Sequence, residues 1–246
     1  MSSRTFQVQK GHFYAVGVGP GNADLLTLRA VNVIKNSQVI ICPKSAASRS
    51  SLALKIIRDF VSDQEIIEHV YPMQRSEKDV RESWLRASDI IAGHCLQNKT
   101  VTQVTLGDPH VYSTCAYILP IIEETLGADK IHIIPGITAL QAAAANFIQP
   151  LTTQEDRLTL MAGSDMANVE KALGTCETLV LYKAGKKLGE LFDLLKKYNL
   201  EQNARVVFNA EMHGKEKIYI GLEKALEDQS GYLACVIVHI GRRKWG

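Results

Sequence analysis

The stretch TLGDPHVYST, residues 105–114, places one carboxylate and a group of hydroxyls directly after an apolar run. Gly107 and Pro109 predict a hard turn around Asp108, because glycine accepts unusual backbone angles and proline fixes φ. Asp108 either caps the helix that follows or belongs to a ligand site. Three hydroxyl residues crowd the same helix start: Tyr112, Ser113 and Thr114. They exceed what a cap requires, so the pattern favours a binding loop on a rigid scaffold.

Two further loops occupy the same kind of position. GVGPGN, residues 17–22, is rich in glycine, but Pro20 interrupts a dinucleotide-binding pattern, so it is either a tight turn or a ligand loop. IPGITALQAAAA, residues 134–145, opens a helix with Thr138 as a candidate cap. Its alanines permit close packing, and Thr138 and Ala139 leave room for a flat ligand at the start of that helix.

Alternating strand and helix patterns must position these loops. Apolar runs at 12–18, 38–43, 100–106 and 130–135 predict a mostly parallel sheet with helices between its strands. Ligands of such sheets bind at the carboxyl ends of the strands, where the three loops fall. Asn22 or Asp24 is expected to cap the first helix. Its predicted apolar stripe consists of Leu25, Leu26, Leu28, Val31 and Ile34.

The pattern restarts after Pro135. Five further strands are predicted at 157–162, 177–183, 204–210, 216–221 and 233–240. The sequence EMHGK separates two of them and indicates a hairpin, so the second half is expected to mix α and β elements. We therefore predict two α/β domains, residues 1–136 and 137–246.

The bulk composition excludes several classes of function. The chain has 246 residues, 46% of them hydrophobic, and a formal net charge of +2, without the basic stripe of a nucleic-acid binder. No apolar run is long enough for a membrane span, and the N-terminus has no secretory pattern. The five scattered cysteines indicate reduced thiols in a cytoplasmic protein. The histidine spacing predicts no bound metal.

Three motifs together carry a resemblance to a known family. YAVGVGPGNADLLTLRAV, TLGDPHVYST and IPGITALQAAAA resemble, in order and spacing, the tetrapyrrole methylases of cobalamin and sirohaem synthesis. YPMQRS, the YST after LGDP, and QAAAA are most similar to the branch that methylates carbon 20 of precorrin-2 or of its cobalt complex.

This resemblance implies a homodimeric enzyme with a cofactor cleft between two α/β domains. S-adenosyl-L-methionine occupies the cleft and leaves as S-adenosyl-L-homocysteine, and the tetrapyrrole lies in a trough of the N-terminal domain. The implied cofactor contacts are Pro20, Leu106, Gly107, Asp108, Val111, Thr138, Ala139, Tyr182, Lys183, Asn209, Ala210 and Ala234.

One position departs from the sirohaem branch of the family. That branch often carries an acidic residue at the end of the second strand, where this chain has Pro43 and Lys44. This departure favours methylation of carbon 20 over methylation of uroporphyrinogen. The candidate contacts to the substrate are Lys44, Arg49, Arg75, Arg81, Tyr112, Ser113 and Thr114. Each of the four basic residues either pairs with a substrate carboxylate or is a solvated surface charge. Tyr71 and Tyr112 either pack on the macrocycle or fill the core. His110 touches the substrate, touches a bound metal, or does neither.

Methyl transfer from a sulfonium needs positioning more than a covalent nucleophile. Asp108 is the candidate catalytic residue, either steadying positive charge on the macrocycle or accepting the proton that is lost; the alternative is that it only shapes the loop. Two other functions remain open: methylation of another corrin carbon, and a non-catalytic tetrapyrrole-binding module.

Overall fold

Two five-stranded sheets organise the chain. The computed structural model describes residues 6–45, 50–71, 77–228, 231 and 233–241. The chain divides into two compact units, Met1–Thr138 and Ala139–Gly246, and each contains one sheet. The predicted α/β class is confirmed.

The sheet of the first unit is parallel, as the sequence predicts. Its strand order is β3-β2-β4-β1-β5, and every recorded pairing of neighbours in it is parallel. The strands are β1 (Phe13–Gly17), β2 (Val39–Ser45), β3 (Glu65–Tyr71), β4 (Val101–Thr105) and β5 (Ile131–Ile134). β3 is an addition to the four strands predicted for this half.

Helices cover both faces of this sheet. They are α1 (Leu28–Asn36), α2 (Leu52–Ile57), α3 (Glu77–Leu96) and α4 (Cys115–Leu126), with 3₁₀ turns at Ala23–Leu25, Arg58–Phe60 and Ala128–Lys130. One core joins α3 and α4 to the side chains of Phe13, Val39 and Ile41. The other joins α1 and α2 to those of Tyr14, Val16 and Ile40. The strand alternation expected of a pleated sheet sorts these residues between its two faces.

The prediction for the first helix was wrong in two respects. Thr27 caps α1, since its Oγ1 accepts a 3.1 Å hydrogen bond from the backbone nitrogen of Ala30. Asn22 precedes the separate 3₁₀ turn and makes no side-chain cap bond there, and Asp24 lies inside that turn. Leu28 is 90% exposed, so it does not belong to the buried stripe, whose members on α1 are Ala30, Val33 and Ile34. Leu25 and Leu26 belong to the 3₁₀ turn and its end, so they lie outside α1 and the helical spacing of the predicted stripe does not apply to them.

The sheet of the second unit is mixed, with the order β6-β7-β10-β8-β9. Its strands are β6 (Leu158–Ala162), β7 (Thr178–Tyr182), β8 (Ala204–Phe208), β9 (Lys217–Ile220) and β10 (Ala234–His239). β6 and β7 are parallel, whereas β10 is antiparallel to both of its neighbours. β8 and β9 form the predicted antiparallel hairpin.

The two faces of this second sheet are covered differently. The helices are α5 (Ala139–Ala145), α6 (Met166–Leu173) and α7 (Leu188–Lys197), with 3₁₀ turns at Ala184–Lys187, Glu201–Asn203 and Glu223–Ala225. α6 and α7 pack with the large core cluster on one face. α5 packs on the other face, where Leu140, Ala142 and Ala143 meet Val180 and Val207. The small alanine side chains let this short helix lie close to the strands.

All five cysteines are buried and free. Burial raises the pKa of Cys42, Cys95 and Cys235 to about 12 and that of Cys115 to about 11. Within the described residues no helix has the length and apolar character needed to cross a membrane. The same residues contain no cluster of three or more His, Cys, Asp or Glu side chains arranged to hold a metal ion.

Candidate active site

Three loops meet at the carboxyl edge of the first sheet. β1 lies between β4 and β5, so the loops that follow these three strands are neighbours. The backbone nitrogen of Val18 donates to the oxygen of Thr105 at 2.9 Å. Gly19 and Gly107 exchange two backbone hydrogen bonds, of 3.3 and 2.7 Å. The GVGPGN loop is therefore fastened to the LGDP loop by main-chain contacts.

Glycines make this close approach possible. A Cβ atom on Gly17 would lie 2.5 Å from the oxygen of Gly107 and 2.6 Å from the nitrogen of Gly136. A Cβ on Gly136 would also collide with backbone atoms of Gly107 and Gly17. Real Cβ atoms do not come this near to backbone, so both positions require glycine. The three loops pack backbone against backbone.

Gly107 is required for a different reason. Its φ of +72° lies in the left-handed region that favours glycine. A Cβ there would have the Cα of Thr138, at 3.9 Å, as its nearest neighbour. Gly107 therefore lies close to the backbone of Thr138, and the structure brings together two of the residues predicted to contact the cofactor.

Asp108 ties the second loop to the third. Its Oδ2 accepts a 3.0 Å hydrogen bond from the nitrogen of Gly136, and its Oδ1 accepts one of 2.8 Å from the nitrogen of His110. Of the two roles left open for Asp108, the structure excludes capping, because α4 begins only at Cys115 and both carboxylate oxygens accept hydrogen bonds from loop N–H groups. The carboxylate is half-buried among the three loops.

The hydroxyl cluster divides into an inner and an outer part. Ser113 is only 7% exposed, and its Oγ lies 2.9 Å from the Oγ1 of Thr105 and accepts from the nitrogen of Cys115 at 3.0 Å. Thr114 occupies the N-cap position of α4 without a side-chain cap bond. Tyr112 is exposed and has a φ of +51°, an uncommon conformation for a bulky residue. Ser113 thus braces the loop from inside, and Tyr112 projects outward.

The remaining cofactor candidates of this unit lie on the same loops. Pro20 is buried next to the Gly19–Gly107 bridge. Leu106 packs against the core cluster that contains Val104 and Ile134. Val111 donates its backbone N–H to the oxygen of Asp108 at 3.3 Å, which closes the turn. All three residues therefore lie near Asp108 and Gly107. Leu106 and Val111 are close to them along the chain, and Pro20 is next to the Gly19–Gly107 bridge.

Lys44 lies at the same edge of the sheet. β2 and β3 pair as far as Ser45 and Tyr71, and the register sets Val39 opposite Val101, so Lys44 extends past the last residue of β4. The Nζ of Lys44 lies 3.5 Å from the Oε2 of Glu68. The Oε1 of Glu68 accepts a 2.7 Å bond from the nitrogen of Ser51, the N-cap of α2. This bond, followed by Lys44, lowers the pKa of Glu68. The sequence motifs did not identify Glu68 as a neighbour of the site.

The other substrate candidates are spread more widely. Arg81 is exposed on α3. Arg49 and Arg75 lie outside the described residues. Tyr71 fills the core: it is buried, its hydroxyl donates to the Oε1 of Gln103 at 3.4 Å, and burial raises its pKa. His110 is an exposed loop residue.

The candidates in the second unit gather at one edge of its sheet. The register sets Tyr182 opposite Cys235 and Ala234 opposite Phe208. Asn209 follows Phe208 and donates its backbone N–H to the oxygen of Leu233 at 2.8 Å. Lys183 and Asn209 have left-handed φ values of +61° and +49° directly after their strands. Such strained positions concentrate at functional sites. Ala210 is buried just beyond Asn209.

Tyr182 links this edge to the start of α5. Its hydroxyl accepts a 2.7 Å hydrogen bond from the backbone nitrogen of Leu140. Ala139 is the first residue of α5 and directly follows Thr138, the predicted cap. Ala139, Tyr182, Lys183, Asn209, Ala210 and Ala234 are therefore brought to one end of the second unit. The hydrogen bond itself has no sequence signal, because it joins residues 42 positions apart.

The fold and these loops define an α/β protein of two units, with a glycine-rich cluster of loops at the carboxyl edge of a parallel sheet. The family model for Tetrapyrrole (Corrin/Porphyrin) Methylases matches residues 12–227, and the chain belongs to this family. The resemblance drawn from the three motifs is confirmed.

Similar proteins include two methyltransferases with curated names. The chain is 29% identical to a probable cobalt-precorrin-2 C(20)-methyltransferase of Methanocaldococcus jannaschii, across 92% of this chain and 94% of that protein. It is 27% identical to the cobalt-precorrin-2 C(20)-methyltransferase of Salmonella typhimurium, across 84% of this chain and 86% of that protein. Both alignments span most of both chains.

Solved structures share the fold. The X-ray structure of a cobalt precorrin-4 methyltransferase superposes with a TM-score of 0.72 at 18% identity, covering 93% of this chain and 94% of that one. The uroporphyrin-III C-methyl transferase of Thermus thermophilus, in complex with S-adenyl homocysteine, gives a TM-score of 0.62 at 19% identity, covering 92% and 96%. At these identities the likeness concerns the fold.

Proposed function

We propose that this protein is an S-adenosyl-L-methionine-dependent methyltransferase that adds a methyl group to carbon 20 of precorrin-2 or cobalt-factor II in cobalamin biosynthesis. One observation carries the proposal: the three motif loops converge at one sheet edge in a chain whose similar proteins are named C(20)-methyltransferases across most of their length. The ending of β2 at Pro43, Lys44 and Ser45 also supports this branch of the family.

The loops of the first unit suit the cofactor. Gly107 and Thr138 bring backbone of two loops close together, and any side chain at Gly17 or Gly136 would force the three loops apart. Asp108 supplies a carboxylate in the same place, which complements a positively charged sulfonium. We assign the cofactor contacts of this unit to Pro20, Leu106, Gly107, Asp108, Val111 and Thr138.

The second unit contributes the remaining cofactor contacts in this proposal. Its candidates for direct contact are Ala139, Lys183, Asn209, Ala210 and Ala234; Tyr182 belongs to the same group, with its hydroxyl engaged by the backbone nitrogen of Leu140. Their support is their shared position at one sheet edge together with the left-handed backbone of Lys183 and Asn209. Such backbone turns expose peptide N–H and C=O groups, which suits hydrogen bonding to an adenine ring.

When bound, S-adenosyl-L-methionine supplies a methyl group already activated on sulfur. Transfer would form a C–C bond as the S–CH3 bond breaks, would leave the electron pair on sulfur, and would release the displaced proton of the macrocycle to solvent. The protein holds the acceptor carbon in line with the methyl group and excludes water. No covalent enzyme intermediate is required.

Asp108 is the proposed catalytic residue. Backbone N–H groups of His110 and Gly136 hold its two oxygens, so it presents a fixed carboxylate. A preorganised charge stabilises opposite charge that develops during reaction without reorganising. We therefore assign Asp108 to electrostatic stabilisation of the macrocycle rather than to proton transfer.

Basic residues bind the carboxylates of the tetrapyrrole in this proposal. Lys44 has the best structural support, because it projects past β4 at the edge that carries the three loops. Arg81 on α3 and the two arginines outside the described residues, Arg49 and Arg75, remain candidates. Tyr112 and Thr114 are retained as contacts from the LGDP loop. Ser113 is buried and already hydrogen-bonded, so we assign it to bracing that loop.

We further propose that the enzyme acts in the cytoplasm as a homodimer. The resemblance to the family supports the dimer, and the five buried free thiols suit a reducing compartment. Sedimentation velocity of the purified protein tests the dimer: a single species of twice the chain mass agrees with it, and a monomer contradicts it.

The activity is tested by incubating the protein with S-adenosyl-L-methionine and, separately, precorrin-2 and cobalt-factor II under anaerobic conditions. We expect a singly methylated product from one of the two acceptors, seen by mass spectrometry. A calorimetric titration with S-adenosyl-L-homocysteine tests the cofactor independently. Absence of binding would exclude methyltransferase activity on any corrin carbon. The remaining function would then be that of a tetrapyrrole-binding module.

A further inference from the structure

Tyr182 joins the end of β7 to the first turn of α5. Its backbone oxygen accepts a 2.7 Å bond from the nitrogen of Gly163, which fixes the end of the strand. Its ring packs against the core cluster beneath α5, and its hydroxyl accepts the 2.7 Å bond from Leu140. Tyr182 is therefore anchored on one side and holds the helix on the other.

The N–H group of Leu140 depends on this hydroxyl. The first backbone N–H groups of a helix have no partner within the helix, and Leu140 is the second residue of α5. Leu140 is 9% exposed, so its surroundings offer little water as a substitute. α5 has only seven residues, too few to be stable without tertiary contacts. The Tyr182 hydroxyl therefore satisfies this N–H group as an N-cap side chain would, although Tyr182 lies outside the helix.

We propose that Tyr182 is a positioning residue for cofactor binding that acts through the start of α5. Fixing Leu140 fixes Ala139, and Ala139 is bonded directly to Thr138. These two residues are cofactor contacts in the proposed function, on which this inference rests. The resemblance to the family instead implies direct contact between this position and adenosine.

The Tyr182→Phe variant separates the two roles, because it removes the hydroxyl and keeps the ring. The matched control is Tyr198→Phe, which removes the 2.7 Å bond from the Tyr198 hydroxyl to Glu170 on the far side of the second sheet. Both variants lose one tyrosine hydrogen bond in the same unit. Tyr198 belongs to neither proposed binding site.

Two measurements are needed. Amide hydrogen exchange followed by NMR is expected to show exchange of Leu140 accelerated about tenfold or more in Tyr182→Phe and unchanged in Tyr198→Phe. Steady-state kinetics is expected to show KM for S-adenosyl-L-methionine raised about five- to tenfold in Tyr182→Phe, with KM for the tetrapyrrole unchanged. A general loss of stability would not raise KM for S-adenosyl-L-methionine while leaving KM for the tetrapyrrole unchanged.

Unchanged exchange at Leu140 overturns the proposal, and a raised KM in that case would indicate direct contact with the cofactor. Faster exchange with an unchanged KM also overturns it, because the bond would then be structural only. Failure of the proposed function is distinguishable: wild-type protein would not bind S-adenosyl-L-homocysteine, whatever the exchange of Leu140.

Discussion

The Oδ2 atom of Asp108 accepts a 3.0 Å hydrogen bond from the backbone nitrogen of Gly136, which joins the loop after β4 to the loop after β5. The loop after β1 lies between them and is fastened to the first by the Gly19–Gly107 bridge. One carboxylate and two backbone bonds therefore hold together all three motif loops. These hydrogen bonds connect the three motif loops, so a substitution in one loop is expected to affect the other two.

Replacing Asp108 by Asn is expected to lower turnover about 100-fold at saturating cofactor, the scale reported for loss of one preorganised electrostatic group. Asparagine has one oxygen, so its amide group would face either the Gly136 or the His110 N–H. Affinity for S-adenosyl-L-homocysteine is expected to fall about tenfold as the loops loosen. Kinetics and calorimetry on the same preparation measure both effects.

Asp165→Asn is the matched control. The Oδ1 of Asp165 also accepts from two backbone nitrogens, those of Ala167 and Asn168, but at the start of α6. Because asparagine caps a helix about as well as aspartate, the control is expected to change stability little and to keep full turnover. Unchanged turnover in Asp108→Asn would contradict a catalytic role and leave Asp108 as a loop tie.

Gly17→Ala is expected to destabilise the first unit by about 1–3 kcal/mol or more, because the new methyl group would collide with the backbone of Gly107 and Gly136. Gly93→Ala is the control, since a Cβ at Gly93 in α3 would meet no heavy atom within 4 Å. The control is expected to stabilise by up to about 1 kcal/mol through helix propensity. Urea denaturation measures both; equal stabilities would contradict the close packing of the three loops.

Lys44→Gln is expected to raise KM for the tetrapyrrole about tenfold, because Glu68 keeps its bond to Ser51 and is left as an uncompensated negative charge. Glu68→Gln retains an acceptor for Ser51 and is expected to lower the same KM. Lys55→Gln, on the exposed side of α2, is the control with no expected change. Shifts of the same sign in both site variants would rule out Lys44 as a carboxylate contact.

Stability is expected to fall as the pH drops below about 6.5, partly through His69. Burial lowers the pKa of His69 below its ordinary value, and the hydrogen bond with Ser83 offsets part of that effect. The unfolded chain therefore takes up the proton first, so the contribution of His69 is present above about pH 6.5 and is lost as the pH falls through the folded pKa.

His69→Gln should flatten this dependence in urea titrations between about pH 7.5 and 5.5. His213→Gln, in the exposed connection of the β8–β9 hairpin, should leave it as in the wild type. A steeper dependence in His69→Gln would show that the sign of the assignment is wrong.

The sequence was sufficient for elements with a strong local pattern. Nine strands were predicted, and the alternation of strands and helices led to the parallel sheet. β3 was missed because its sequence, EIIEHVY, mixes charged and apolar residues, as suits an edge strand with half-buried side chains. The cap of α1 was misplaced because an intervening 3₁₀ turn has no strong sequence signal.

The sequence motifs could not predict the hydrogen-bond partners of the site residues. Asp108 meets Gly136 across 28 residues, and Tyr182 meets Leu140 across 42. Both contacts depend on strand order, and strand order is set by packing of the whole sheet. The sequence left open whether Asp108 caps a helix, whereas the strand order β4-β1-β5 places a hydrogen-bond partner from a distant loop next to it.

The position of the transferred methyl group tests the central claim most directly. S-adenosyl-L-methionine labelled with ¹³C in its methyl group is incubated with the protein and with the acceptor that it methylates, and the product is examined by ¹³C NMR. A single labelled methyl group on carbon 20 is expected. A label on any other ring carbon, or no transfer to either acceptor, would contradict it.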